Sequence, residues 1–185
     1  RATFLLDSLG QPIFPKHIDI NEDPHILKGK GSAPFDDEGV LTRKRKIVKN
    51  GVVQTYFLSS YSARKLGLKT TGHAGGSQNL VLTHRKTDKK DKLKAMLKKL
   101  DTGLFVTELM GQGVNYVTGD YSRGAAGYWV ENGVIQYPVQ EITIAGHLGE
   151  MFQQIVAVGA DAYTYGSKTI GSVLIEKMKI AGQGS

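Results

Sequence analysis

The sequence predicts an α+β fold: a β-rich, strongly bent, barrel-like sheet carrying two or three helices. Three observations point there. Gly103 to Gly146 is dense in glycine and in β-branched or aromatic residues, and Glu108, Asp120, Arg123, Glu131 and Glu141 are its only charges. Such a segment reads as close-packed sheet bent at defined points. Two Asn-Gly pairs, Asn50-Gly51 and Asn132-Gly133, each sit between β-prone runs. Asn-Gly supplies the two positive φ angles of a type I′ turn, so each pair predicts a two-residue hairpin. Helical periodicity is confined to a few short windows.

In chain order, Ala2 to Leu6 reads as a strand, and Leu41 to Leu58 as the first hairpin. Ser60 to Leu66 fits a short helix ended by Gly67, and Leu80 to Thr83 a strand. Asp88 to Leu100 places Leu93, Met96, Leu97 and Leu100 on one stripe with lysines opposite, which predicts an amphipathic helix. Strands follow at Gly103 to Leu109 and Gly113 to Thr118, then the second hairpin within Gly127 to Pro138, then a strand at Glu141 to Ala145. Leu148, Met151, Phe152, Ile155 and Val156 predict a helix over Leu148 to Val158 with Gly159 as its stop. Gly171 to Ile175 and, more weakly, Met178 to Ala181 complete the strands.

The 185 residues suffice for a single domain, expected to span residues 1–185. The opening at Arg1, on an apolar run, reads as the continuation of a longer chain. No apolar run approaches the roughly 18 residues that span a bilayer, which argues against a membrane partner. Cysteine is lacking, so this segment supplies no disulfide, thiolate ligand or thiol nucleophile, and a reducing cytoplasmic setting is expected. The net charge of +7 is local. Arg85 to Lys99 holds eight basic and two acidic residues, leaving sixteen against fifteen elsewhere. The ordinary reading of those lysines is a solvated helix face. The functional reading is an acidic or nucleic-acid partner, but no aromatic residue for base stacking lies between Val81 and Leu104, which argues against nucleic acid.

Candidate chemistry is sparse. His17, His25, His73, His84 and His147 show no helical zinc-protease spacing. His147 and Glu150 could share a helix face, yet an acid in a first turn is also simple dipole chemistry. A Ser122, Asp120 and His73 or His147 triad lacks a strand-to-helix nucleophile elbow. The loop TTGHAGGSQN, Thr70 to Asn79, is either a structural turn or a ligand-facing loop, and His73 is its candidate functional residue. Asp120 and Arg123, in GDYSRG, either pair with each other or line a cleft with Glu108 that holds a peptide's main chain. Tyr116, Tyr121, Tyr128 and Trp129 suit such a cleft's walls and equally a core.

Four stretches together carry a family resemblance: SYSARKLGLKTTGHAGGSQN, the Gly103 to Gly146 segment, GHLGEMFQQIVAVGAD from Gly146 to Asp161, and GSVLIEKMKIAGQ. The chain resembles the C-terminal domain of PmbA (TldE)-type members of the TldD/PmbA metalloprotease family, known under an older name as modulators of DNA gyrase. The resemblance implies a further N-terminal half and a cytoplasmic, non-catalytic subunit. Such a subunit would shape a cavity and bind a TldD-type zinc protease as a heterodimer, or itself as a homodimer, with unfolded or flexible peptides as substrates. In catalytic members a His-Glu-x-x-x-His helix lies in the N-terminal part, and a cysteine follows the segment ending here in VGAD. Ala160 to Thr169 has no cysteine. No metal or cofactor is therefore expected in this chain, and zinc is expected in the partner. Cleft-lining residues would be His73, Glu108, Asp120 and Arg123. Two alternatives stay open: a modulator of DNA gyrase or another acidic target acting through the lysine-rich helix, and a metallopeptidase with ligands in the N-terminal half.

Overall fold

A computed structural model describes residues 3–182. Its elements are β1 (Ile18–Asp23), β2 (Arg45–Lys49), β3 (Val52–Val53), α1 (Ser60–Lys65), β4 (Asn79–His84), α2 (Leu93–Leu100), β5 (Gly103–Met110), β6 (Asp120–Glu131) and β7 (Val134–His147), followed by α3 (Leu148–Gln153), β8 (Ile155–Val158), β9 (Tyr163–Tyr165), β10 (Lys168–Ile170), β11 (Val173–Ile175) and β12 (Lys179–Gly182). The described residues are thus β-rich with three helices. In place of one barrel-like sheet, the strands form three sheets, ordered β3-β2-β1-β4-β10-β9, β12-β7-β6-β5 and β11-β8, and none of them closes on itself.

In the six-stranded sheet, β1 lies centrally between β2 and β4, antiparallel to both, and only the β4–β10 pair is parallel. Ile18 is fully buried and packs with Ile155 and Val158, flanked by Phe14, Ile20, Leu82 and Ile175. That cluster joins the sheet to the β8–β11 pair. Asn50 (φ 54°) and Gly51 (φ 79°) make the expected β2–β3 turn. Asp19 pins it: its carboxylate accepts the Asn50 amide at 2.7 Å, and the Gly51 amide donates to the Ile18 carbonyl at 2.8 Å.

The four-stranded sheet is built on the long β6–β7 hairpin around Asn132 (φ 52°) and Gly133 (φ 73°). One face buries Ala125, Ile142 and Ile144 with Leu104, Val106, Tyr121, Val139 and Met178. Bulges at Val106/Glu108 on β5 and on β7 opposite Ala125/Gly127, where Glu141 takes a φ of 54°, bend it. Gly127 is buried where β5 passes closest, and a Cβ there would meet the Phe105 carbonyl oxygen.

Four expectations change. Thr3 to Leu6, the described part of Ala2 to Leu6, forms turns whose Leu6 carbonyl accepts the Tyr56 hydroxyl. Gly113 to Thr118 is a loop with a single bridge at Val114, because the Asn115 side chain accepts the Val117 and Thr118 amides and closes an Asx turn. The helix expected over Asp88 to Leu100 begins only at Leu93, since Asp88 and Asp91 engage local amides in a preceding turn. The helix expected over Leu148 to Val158 stops at Gln153, and Ile155 to Val158 instead pair as β8, so Gly159 ends a strand. Gly127→Ala should lower the stability of the full-length parent protein by about 1–3 kcal/mol, because the new methyl pushes β5 off β6. Thermal melting checks it, with the same substitution at Gly124, on the same strand, as the comparison: its φ is ordinary and a new Cβ there would come no nearer than 3.4 Å to Met110.

Candidate functional site

Glu22 sits in the middle of the six-stranded sheet, opposite Arg45 on β2 and Leu80 on β4. Its side chain has no exposure to water. A carboxylate there must be paired and hydrogen-bonded or it costs several kcal/mol. The glycine-rich loop supplies the partners. His73 Nε2 lies 2.7 Å from Glu22 Oε2, and the Gln78 amide donates to Oε1 at 2.8 Å. On the other side of the ring, Nδ1 faces the Thr71 hydroxyl at 2.7 Å, and Phe57 packs edge-on against the imidazole at 4.8 Å. Thr71 and Thr70 in turn tie the loop to the carbonyl and amide of Leu58.

A second carboxylate holds the same loop from outside. Asp36 accepts the amides of Ala74, Glu38 and Val40. Burial raises its pKa, but these three amides and nearby His73 outweigh that and hold it below the usual carboxylate range. Gly75 must be glycine for two reasons: its φ is 94°, and a Cβ would run into the Asp37 carboxylate. The loop is therefore a pinned structural element whose outer rim faces the β9–β10 hairpin. There the Leu80 amide donates to the Ser167 carbonyl, and Lys168 Nζ reaches the Ser77 hydroxyl at 3.0 Å.

Thr71, His73 and Glu22 line up as hydroxyl, imidazole and carboxylate, the order of a hydrolytic triad. Burial decides against that chemistry. The His73 and Glu22 side chains are 1% and 0% exposed, and the Thr71 hydroxyl already accepts the Leu58 amide. No carbonyl substrate can approach.

The other three sequence candidates lie on the four-stranded sheet. Glu108 is exposed on β5 opposite Ala126, and Asp120 is exposed at the start of β6 opposite His147. Arg123, three residues from Asp120 along a strand, points to the opposite face. The two therefore do not pair. Asp120 Oδ2 instead accepts the Thr118 hydroxyl at 2.6 Å, and Arg123 leaves its buried Nε without a partner among the described residues. Arg123 shares its face with Tyr121, whose hydroxyl is pushed above its ordinary pKa by burial, against the opposing pull of Arg123. Beyond Tyr121 opens an apolar groove of about 510 Å³ between the α2 stripe, β5 and the Val173 to Ile180 segment.

The histidines of the described residues do not gather into a three-ligand metal site. His147 caps α3: its Nδ1 accepts the Gly149 amide and its Nε2 donates to the Thr118 carbonyl. His73 is satisfied at both nitrogens. Among the described residues, no group of three or more His, Cys, Asp or Glu side chains could hold a metal. Sequence reasoning singled out His73 but missed its partner Glu22, the Gln78 amide that closes on the same carboxylate, and Asp36, which holds the loop's outer turn. The signal was an acid embedded in the Ile18–Ile20 alternation of β1, which only the pairing of that strand makes informative. Glu22→Ala should destabilise the parent protein by about 3–5 kcal/mol, because it strands a buried imidazole. The exposed Glu108→Ala should leave the melting temperature unchanged. Thermal melts of both variants check this.

The family model for the PmbA/TldA metallopeptidase C-terminal domain matches residues 1–182. The chain is 58% identical to metalloprotease PmbA of Escherichia coli O157:H7 over 183 residues, covering 99% of this chain and 40% of that protein. A crystal structure of a candidate modulator of DNA gyrase from Bacteroides thetaiotaomicron superimposes with a TM-score of 0.88 at 33% identity, over 97% of this chain and 40% of that one. TldE from Thermococcus kodakarensis shares the fold, with a TM-score of 0.76 at 24% identity over 97% of this chain and 43% of that one. The chain thus spans about two fifths of the length of the curated relative it matches. No helix among the described residues is long and apolar enough to cross a membrane. The chain belongs to the PmbA/TldD metallopeptidase family, and residues 1–182 match that family's C-terminal domain.

Proposed function

We propose that this domain belongs to a non-catalytic, PmbA/TldE-like subunit of a cytoplasmic TldD/TldE-type zinc metalloprotease complex that degrades unfolded or flexible peptides. The observation that carries the reading is the β9–β10 hairpin. It occupies the stretch in which catalytic members are expected to carry a cysteine, and it presents Tyr163, Thr164 and Tyr165 instead. The neighbouring glycine loop supplies no substitute, since its only imidazole is consumed by Glu22 and Thr71. The domain's part is then to hold a TldD-type partner, or a second copy, and to wall a cavity. In that wall Glu108 and Asp120 meet peptide from the exposed face of the β5–β6 pair. Arg123 approaches from the groove side, and His73 keeps the glycine loop in shape from within.

The lysine-rich segment supports a second reading, a modulator of DNA gyrase or another acidic target, because α2 turns its apolar stripe into the groove and its lysines outward. A third reading, a metallopeptidase on its own account, places every ligand in the N-terminal half. Cleavage of an unstructured peptide separates them. The full-length parent chain should be inactive alone and active only when mixed with a TldD-type partner, with activity lost to a chelator. Combined Glu108→Gln and Asp120→Asn should slow the mixture without shifting the melting temperature. Chelator-sensitive cleavage by the parent chain alone would overturn the first reading. A salt-sensitive effect on gyrase with no cleavage in any mixture would favour the second.

A further inference from the structure

The antiparallel β1–β4 ladder brings two histidines together at its end. Ile18 pairs with His84, and the Arg85 amide donates to the His17 carbonyl at 2.9 Å, so the rings of His17 and His84 lie with centroids 5.6 Å apart. Cations crowd around them. The Arg85 guanidinium donates to the Lys16 carbonyl, and the Lys86 amide donates to His84 Nδ1 at 3.2 Å, which leaves Nε2 of His84 to carry the proton. Lys16, Arg85 and Lys86 are exposed, His17 is half-buried and His84 is buried. From α2, Lys99 also faces His84, but it is engaged by Asp91 at 2.7 Å. Asp88, in the turn between, accepts the Lys90 amide. Among the described residues, no carboxylate lies within ion-pairing distance of Lys16, Arg85, Lys86, His17 or His84.

Both imidazoles are held below the ordinary histidine range, first by burial and then by these neighbouring positive charges. A protein that gathers three permanent cations and two protonatable rings without a counter-charge breaks a local rule, and such breaks collect at binding sites. We propose that His17, His84, Lys16, Arg85 and Lys86 form a binding site for the phosphate-type oxyanion of a small soluble ligand. The anion would accept from the His17 ring, the Arg85 N–H groups left over from Lys16, and Lys86 Nζ. Its charge replaces the missing counter-charge, so binding draws a proton onto the His17 imidazole, while His84 Nδ1 stays committed to the Lys86 amide. The coupling has a definite sign: anion binding raises the depressed His17 pKa, so affinity rises as the pH falls towards the lowered range of the free ring. A nucleic-acid strand fits less well, since no Phe, Tyr or Trp lies between Val81 and Leu104 to serve as a stacking platform for bases.

The test is calorimetric titration of the full-length parent protein with sulfate, whose charge stays fixed between about pH 8 and about pH 5.5, so that any change reports the protein. Sulfate should bind about tenfold or more tightly at the lower pH, with net proton uptake. Glycerol 3-phosphate should compete for the site. His17→Gln, placed at the half-buried ring so that the fold survives, should abolish the pH effect while keeping the melting temperature. The double variant Arg85→Gln, Lys86→Gln should lose binding at both pH values. Equal affinity at the two pH values, wild-type binding by His17→Gln, or binding confined to a duplex oligonucleotide or to phosphatidylglycerol vesicles would overturn the proposal.

Discussion

One buried carboxylate organises the end of the molecule that carries the candidate site. Glu22 lies on the central strand of the larger sheet with no access to water. Left unpaired, such a charge would cost several kcal/mol, a large fraction of a domain's net stability. The glycine loop is the answer to that constraint. His73 and the Gln78 amide close on the two oxygens, Thr71 orients the far side of the ring, and Asp36 fastens the loop's outer turn. Positive φ at Gly72, Gly75 and Gly76 lets the backbone double back tightly enough to make those contacts. The loop then runs directly into β4, which positions β10 and hence the β9–β10 hairpin.

The second sheet obeys a different constraint. Its long hairpin is closed by Asn132 and Gly133, and its buried face is small: Ala125, Ile142 and Ile144 with a few half-buried neighbours. The remaining apolar surface, from the α2 stripe to Ile180, borders an open groove rather than a filled core. The larger sheet thus carries the pinned polar loop, and the smaller one carries Glu108, Asp120 and Arg123 on a surface that is only half packed.

The sequence was legible where local chemistry decides. Both Asn-Gly turns, the Ser59-capped α1 and the apolar stripe of α2 need only neighbouring residues to form. It misled where pairing overrides periodicity. Ile155 and Val156 continue the helical spacing of α3, yet the β-branched run of Ile155 to Val158 finds a strand partner in Val173 to Ile175. Gly113 to Thr118 has strand-like composition, but the Asn115 side chain captures its amides first. β1 was illegible because three acids lie within six residues, and two of them, Asp19 and Glu22, are buried only because distant residues supply their donors. At the site, His73 was visible as the one imidazole in a glycine loop. Its role was not, since Glu22 is 51 residues away in the chain.

The central claim is that this domain serves a subunit without its own metal. Of its histidines, His147 caps a helix, His73 closes on Glu22, His17 and His84 sit among cations, and His25 lies exposed near Asp23; among the described residues no three His, Cys, Asp or Glu side chains gather to hold a metal. Zinc content of the full-length parent chain, purified apart from any partner and measured by elemental analysis, tests this most directly. The account predicts far less than one zinc per chain, with zinc appearing only when a TldD-type partner is added. One tightly held zinc per isolated chain would contradict it.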